Sequence, residues 1–165
     1  NDREPRSSDF GSRTRKRQLD CSFFTIQTNS SMGTYTITLM GAMDLPNTDG
    51  GMGKSDPYCK VTMGAQQLMK TKTVKNNLNP TWGLTKVIQW DGLNDIIFTV
   101  MDSDFFTKDD FMAQFVLTKD QIPQGCRGTF PMQTPPQFKG TCTPQITFKV
   151  EIGAEGGCCG GCSVM

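Results

Sequence analysis

A chain of 165 residues, 36% of them hydrophobic, has room for one core of ordinary size, and its formal charge of +1 gives it no overall pull toward nucleic acid or toward acidic partners. Histidine is absent, which removes the commonest general base and the commonest zinc ligand, so hydrolase and zinc-finger readings lose most of their support and no enzymatic activity is expected. No run approaches the roughly 18 apolar residues of a membrane span and no secretory apolar region opens the sequence, so a cytosolic protein is expected.

Taken in order, residues 1–20 are charged, rich in Ser and Arg and nearly devoid of large apolar groups, and they are expected to be disordered. Four of the five residues 13–17 are basic (Arg13, Arg15, Lys16, Arg17). Within 21–33 the short apolar run Cys21–Thr28 reads either as an additional edge strand or as a packed arm. From there to residue 152 the pattern is period-two alternation. Strands are predicted over 34–40, 58–63, 68–74, 84–90, 96–101, 111–117, 129–133 and 145–152, with turn residues between them and no convincing helix. Eight short strands at this spacing predict an all-β, antiparallel β-sandwich over 34–152, whose loops gather at two ends so that segments distant in sequence can build one site.

The densest charge lies in Met101–Asp110, after the apolar run 96–100. Carboxylates at 102, 104 and 110 and the hydroxyl of Thr107 surround a tip made of Phe105 and Phe106. At roughly 4 Å each unscreened like pair costs about 1 kcal/mol even in bulk water, so a positive partner is expected. Oxygen-only ligands suit a hard cation, and Ca²⁺ accepts about 6 to 8 oxygens in flexible geometry. A solvated acidic turn is the bland alternative for an isolated D-x-D. A second acidic, Gly-rich loop at 44–58 supplies a partner.

The succession of an Asp in a Gly-rich loop, Ser55-Asp56-Pro57-Tyr58, Leu78-Asn79-Pro80-Thr81-Trp82 and Asp102-x-Asp104 with Asp110 six residues on resembles the C2 domain of synaptotagmins and conventional protein kinases C. The resemblance covers roughly 34–152. It implies that two loops jointly hold two or three Ca²⁺ ions, with ligand positions falling on Asp49, Asp56, Asp102, Asp104 and Asp110, and with Thr107 where the family often has a coordinating serine. The sequence departs from the pattern in a first loop one residue longer than usual and in Gly83, which replaces the common Asn after the tryptophan. A terminal strand at 145–152 favours the circularly permuted, phospholipase-like topology; were Cys21–Thr28 the first strand, the synaptotagmin topology would return.

Met52, Phe105 and Phe106 at the loop tips have nothing internal to bury against and look like membrane wedges, although one phenylalanine turned inward would cap the sandwich. Lys70 and Lys72 are predicted on one strand face, with Lys60 on the preceding strand and Lys75 beyond; similar lysine-rich strands in the family contact phosphoinositide headgroups, and a solvated face is the alternative. Gly51–Ser55 imitates the end of a P-loop but lacks the leading glycine and is followed by Asp56-Pro57 where a helix must begin, so nucleotide binding is rejected. Residues 153–165 form a Gly- and Cys-rich tail. Cys162-Ser163-Val164-Met165 fits a C-a-a-X prenylation box, Cys158 and Cys159 lie within reach for palmitate, and a CxxC metal site from Cys159 and Cys162 finds no second pair.

These signals converge on a lipid-anchored C2 protein, expected as a monomer at the cytoplasmic face of the plasma membrane or of endomembranes. It would bind anionic phospholipid (phosphatidylserine or phosphoinositides) in response to Ca²⁺ and would not bind nucleic acid. A single lipid chain holds a membrane only marginally, and the basic cluster at 13–17, palmitate and the calcium loops are candidate second signals. About ten residues between Ile152 and Cys162 stretch to roughly 33 Å, enough for loops and anchor to meet one bilayer. The alternative is a constitutively tethered adaptor whose sandwich binds a protein partner, with calcium structural or absent. A third reading makes the 13–17 cluster a nuclear-localisation or nucleic-acid patch.

Overall fold

The computed structural model describes residues 32–49, 53–105 and 107–153. The basic cluster at 13–17, the run Cys21–Thr28, Met52, Phe106 and the cysteines Cys158, Cys159 and Cys162 lie outside them.

Among the described residues eight strands follow one another: β1 (Gly33–Met43), β2 (Pro57–Met63), β3 (Gln66–Lys70), β4 (Thr81–Trp90), β5 (Ile96–Asp102), β6 (Asp110–Leu117), β7 (Cys126–Pro131) and β8 (Gln145–Ile152), with a 3-10 turn at Ile122–Gln124. They form two four-stranded antiparallel sheets, ordered β4-β1-β8-β7 and β3-β2-β5-β6. Alternation dictates the packing: Tyr35, Ile37 and Leu39 of β1, Ile96, Phe98 and Val100 of β5, and Ile146, Phe148 and Val150 of β8 all point inward and are buried. Phe98 and Phe148 stack across the two sheets at 4.4 Å between ring centroids, and Phe115 and Phe130 complete the aromatic layer around Phe148.

Both edges of β1 are taken, by β4 and β8, so the terminal strand fills the central position that the permuted topology assigns to it.

Three expectations need correction. The strand expected over 129–133 runs from Cys126 to Pro131. The third strand stops at Lys70 rather than running on to Val74, because Thr71 folds back on β2: its N–H donates to the Cys59 carbonyl and its hydroxyl accepts the Cys59 N–H, both at 2.9 Å. Lys72 therefore stands in the β3–β4 loop and not on a strand face with Lys70. β4 begins three residues earlier than its alternation announces, at Thr81, and Gly83 within it has φ +62° with open space where a Cβ would stand. Glycine and asparagine are the residues that enter this left-handed region most readily, which accounts for Gly83 where the family often has Asn.

At Gly41 the register of β1 slips against both neighbours, and a Cβ there would meet the Pro80 carbonyl oxygen at 2.4 Å. The Asn79-Pro80 turn thus lies directly on the end of β1, held by the Ala42 N–H donating to Pro80 at 3.0 Å. The result is a crowded pole where the loops after β1, β3 and β5 meet.

Candidate functional site at the acidic pole

Strand register sets the site. Pro57 of β2, Asp102 of β5 and Asp110 of β6 lie side by side at one end of the second sheet, and Asp56 immediately precedes Pro57. Asp102 is 2% exposed. A carboxylate cannot be buried without partners, and this one has two: Oδ1 accepts the Asp56 N–H at 2.6 Å, and Oδ2 accepts the Thr48 hydroxyl at 2.5 Å.

The β1–β2 loop is organised from within. The Asn47 side-chain oxygen accepts from both the N–H and the hydroxyl of Ser55, at 3.0 and 3.1 Å, while its amide donates to the Gly53 carbonyl at 2.8 Å. Ser55, fully buried, in turn accepts the Thr48 N–H at 2.8 Å. The β3–β4 loop forms a third wall. Asn76, at φ 52°, donates its N–H to Asp56 Oδ1 at 2.7 Å and accepts the Lys54 N–H on its side chain at 3.1 Å.

Asp49 reports the electrostatic result. Its carboxyl is pushed above the ordinary carboxylate range, by partial burial first and then by the negative charge of Asp102, Asp104, Asp56 and Asp110. The structure therefore gathers all five aspartates of the expected ligand set around one region. Among the described residues no three acidic side chains close into a ready-made metal cage. Asp102 and Asp56 face backbone donors and Thr48, and each carboxylate still has lone-pair positions in reserve, since two oxygens offer about four. Thr107 is exposed in the same loop, and Phe105 at its tip is 91% exposed.

The sixth carboxylate of the pole, Asp109, behaves oppositely. It accepts the Tyr58 hydroxyl, the largest of the causes that hold it below the usual carboxylate range, with the Asp104 N–H and the positive charge of Lys70 and Lys60 as lesser ones. Tyr58, buried and beside that carboxylate, has its own ionisation pushed up, chiefly by burial. Lys60 and Lys70 are cross-strand partners whose ammonium groups lie 5.4 and 4.0 Å from the centroid of the Tyr58 ring. Lys72 and Lys75 stand in the loop that carries Asn76. The four lysines thus divide into a pair stacked on Tyr58 and a pair on the third wall.

The partners that hold the aspartates, namely Asn47, Thr48, Ser55, Asn76, Tyr58 and Asp109, are the part that sequence reasoning missed. The only local signal for Asn76 is its membership of an Asn-Asn pair in a loop, where asparagine tolerates positive φ. Trp82 on β4 carries an indole N–H that is buried without a hydrogen-bond partner among the described residues.

The C2 domain family model matches residues 33–134. Multiple C2 and transmembrane domain-containing protein 1 from Homo sapiens is 37% identical over 87 residues, which cover 52% of this chain and 9% of that protein. RasGAP-activating-like protein 1 from Mus musculus is 31% identical over 97 residues, covering 58% of this chain and 12% of the relative. The chain thus spans about a tenth of the length of the curated relatives it matches. Among solved structures, the paired C2 domains of Extended-Synaptotagmin 2 with calcium bound superpose with a TM-score of 0.60 at 22% identity, over 73% of this chain and 45% of that one. Human GIVD cytosolic phospholipase A2 gives a TM-score of 0.60 at 19% identity, over 74% of this chain and 16% of that one. At these identities the superpositions carry the fold. The family model, the sandwich and its sheet order agree, and the chain belongs to the C2 domain family.

Proposed function

We propose that this chain is a non-enzymatic module that binds anionic phospholipid membranes in response to Ca²⁺, with Asp49, Asp56, Asp102, Asp104 and Asp110 as the ion-holding carboxylates and Thr107 as an accessory oxygen. The observation that carries the reading is the meeting of the two acidic loops in one register, with Asp102 beside Asp110 and accepting the Asp56 N–H and the Thr48 hydroxyl; the raised carboxyl of Asp49 agrees with it. C2 domains as a family bind membrane phospholipids, and one structural neighbour is described as calcium bound.

Ca²⁺, when bound, supplies positive charge and coordination positions open to lipid oxygens. The chain's own residues do the rest. Asp102, held from two sides, is the fixed floor of the site. Asp56 is steadied by Asn76, and Asp104 and Asp110 come from a loop whose tip exposes Phe105. Five carboxylates carry −5; two divalent ions bring the pole to −1, so repulsion of an anionic bilayer is largely removed and an exposed apolar tip can enter it. Lys60, Lys70, Lys72 and Lys75 surround the same pole and favour acidic headgroups, phosphatidylserine or phosphoinositide.

A farnesyl group at Cys162, with palmitate at Cys158 or Cys159, belongs to the same proposal and rests on those residues alone. It would place a monomeric protein at the cytoplasmic leaflet.

The deciding experiment is calorimetric Ca²⁺ titration of the unlipidated chain with and without phosphatidylserine vesicles. Calcium binding strengthened by vesicles is expected. Equal vesicle binding in calcium and in chelator would replace this reading with that of a constitutive adaptor.

A further inference from the structure

We propose that Tyr58 is the positioning residue of the acidic β5–β6 loop: through Asp109, which serves as a clasp and not as an ion ligand, it sets the places of Asp104 and Asp110. The inference rests on the calcium reading above and adds a residue to it.

The geometry is specific. Tyr58 sits on β2, 1% exposed, paired in register with Met101 of β5 and covered by the Lys60 and Lys70 ammonium groups. Its hydroxyl reaches past the end of β5 to Asp109. Asp104, the second residue of the loop, turns its N–H to the side of Asp109, the last, and favours its charged form. Asp102 and Asp56 also accept donors, but among the six aspartates it is Asp109 that takes a tyrosine hydroxyl, with Lys60 and Lys70 over that ring beside it. What it controls is the placing of Asp104 across the loop and of Asp110, the next residue in the chain. Asp102 and Asp56 are held by their own contacts with each other and with Asn76, so the clasp governs the remaining two ligands of this loop, Asp104 and Asp110. A loop ordered before an ion arrives has less conformational entropy to lose when it binds.

The test titrates Ca²⁺ alone into the full chain and into Tyr58→Phe, Asp109→Ala and Asp109→Asn, with thermal melts of each in chelator. Tyr58→Phe keeps the ring and removes the donor, and it should weaken Ca²⁺ binding about tenfold, the scale of one hydrogen bond to a charged group. Asp109→Ala should match it. Asp109→Asn should stay within about threefold of wild type, because an amide oxygen still accepts the hydroxyl. Melting temperatures in chelator should change little for Tyr58→Phe.

No binding by the wild type overturns the calcium reading and the clasp with it. Wild-type binding with an unchanged Tyr58→Phe overturns the clasp alone. A loss in Asp109→Asn equal to that in Asp109→Ala makes Asp109 a ligand and also overturns it. So does a lower melting temperature of Tyr58→Phe with unaltered Ca²⁺ affinity, which would assign the tyrosine a structural role only.

Discussion

Thr48 donates its hydroxyl to Asp102 across 2.5 Å, joining two loops whose residues are 54 positions apart, while the other oxygen of that carboxylate accepts the Asp56 N–H. The pair makes Asp102 both a charge and a strut, and substitutions separate the two. In Asp102→Asn the amide can offer its oxygen to the Asp56 N–H and its nitrogen to Thr48, so the strut survives and the charge goes. Asp102→Asn with Asp104→Asn should abolish Ca²⁺ binding and raise the stability of the calcium-free domain, because like-charge repulsion falls. Asp102→Ala should instead lower that stability by about 1 to 3 kcal/mol, leaving a backbone donor without its partner. Urea melts in chelator with a Ca²⁺ titration of each variant check the pattern, and wild-type affinity in the double variant would remove the site assignment.

The exposed ring at the loop tip gives a second expectation. Phe105 is 91% exposed, so Phe105→Ala should leave Ca²⁺ affinity in the absence of membranes nearly unchanged. Binding to phosphatidylserine vesicles in calcium should weaken by roughly tenfold or more, since burying a phenylalanine contributes on the order of 1.5 to 3 kcal/mol. Vesicle sedimentation reads it, and unaltered sedimentation would mean that the ring stays clear of the bilayer.

Strands and acidic loops were legible because each is a local pattern: alternation over six to eight residues, or carboxylates close together in one loop. The strand that ended early did so for a reason with no local signature, since Thr71 leaves β3 to bond Cys59, twelve positions away. The same holds for the struts of the site. Asn76 serves Asp56 through a backbone N–H that any residue but proline possesses, and Tyr58 meets Asp109 across 51 positions. Tyr58 stood inside a recognised motif, and alternation puts it on the face of β2 opposite the core residues Cys59, Val61 and Met63, yet only the tertiary register shows where its hydroxyl arrives.

Asp44 carries the acid sensitivity of the neighbouring corner. It follows β1 at φ 51°, and its Oδ2 accepts the N–H and the hydroxyl of Thr143, at 2.6 and 2.9 Å, which hold its carboxyl below the ordinary value of 3.8. A carboxyl lowered in the folded state adds stability that is complete above the unfolded value and is lost as pH falls through the folded one. Asp44→Asn should therefore flatten the acid limb of the stability curve below about pH 4 and leave its shape above about pH 5 unchanged. Denaturant melts across that range test it, and an identical acid limb would show that the contact does not persist in solution.

The position of the anchor relative to the acidic pole leads to the last prediction. β8 ends beside the start of β1, where the Gly153 N–H donates to the Thr34 carbonyl at 2.7 Å, whereas the acidic loop begins at the far end of β1. β1 has 11 residues and at about 3.3 Å per residue stands roughly 33 Å tall. The ten residues from Ile152 to Cys162 reach roughly 33 Å only when fully extended. The tail can therefore just span the height of the sandwich, with nothing over for the loops themselves, which corrects the expectation that this reach lets loops and anchor meet one bilayer. A farnesyl at Cys162 would hold the domain with its calcium pole away from the bilayer that carries it, or on its side. Chain farnesylated in vitro and loaded on phosphatidylserine vesicles should consequently cluster them when Ca²⁺ is added. Inserting about 20 Gly/Ser residues after Gly153 should reduce the clustering, because the lengthened tail lets the loops fold back to their own membrane. Light scattering follows both proteins. Equal clustering by the two, or none by either, would show that loops and anchor already share one surface.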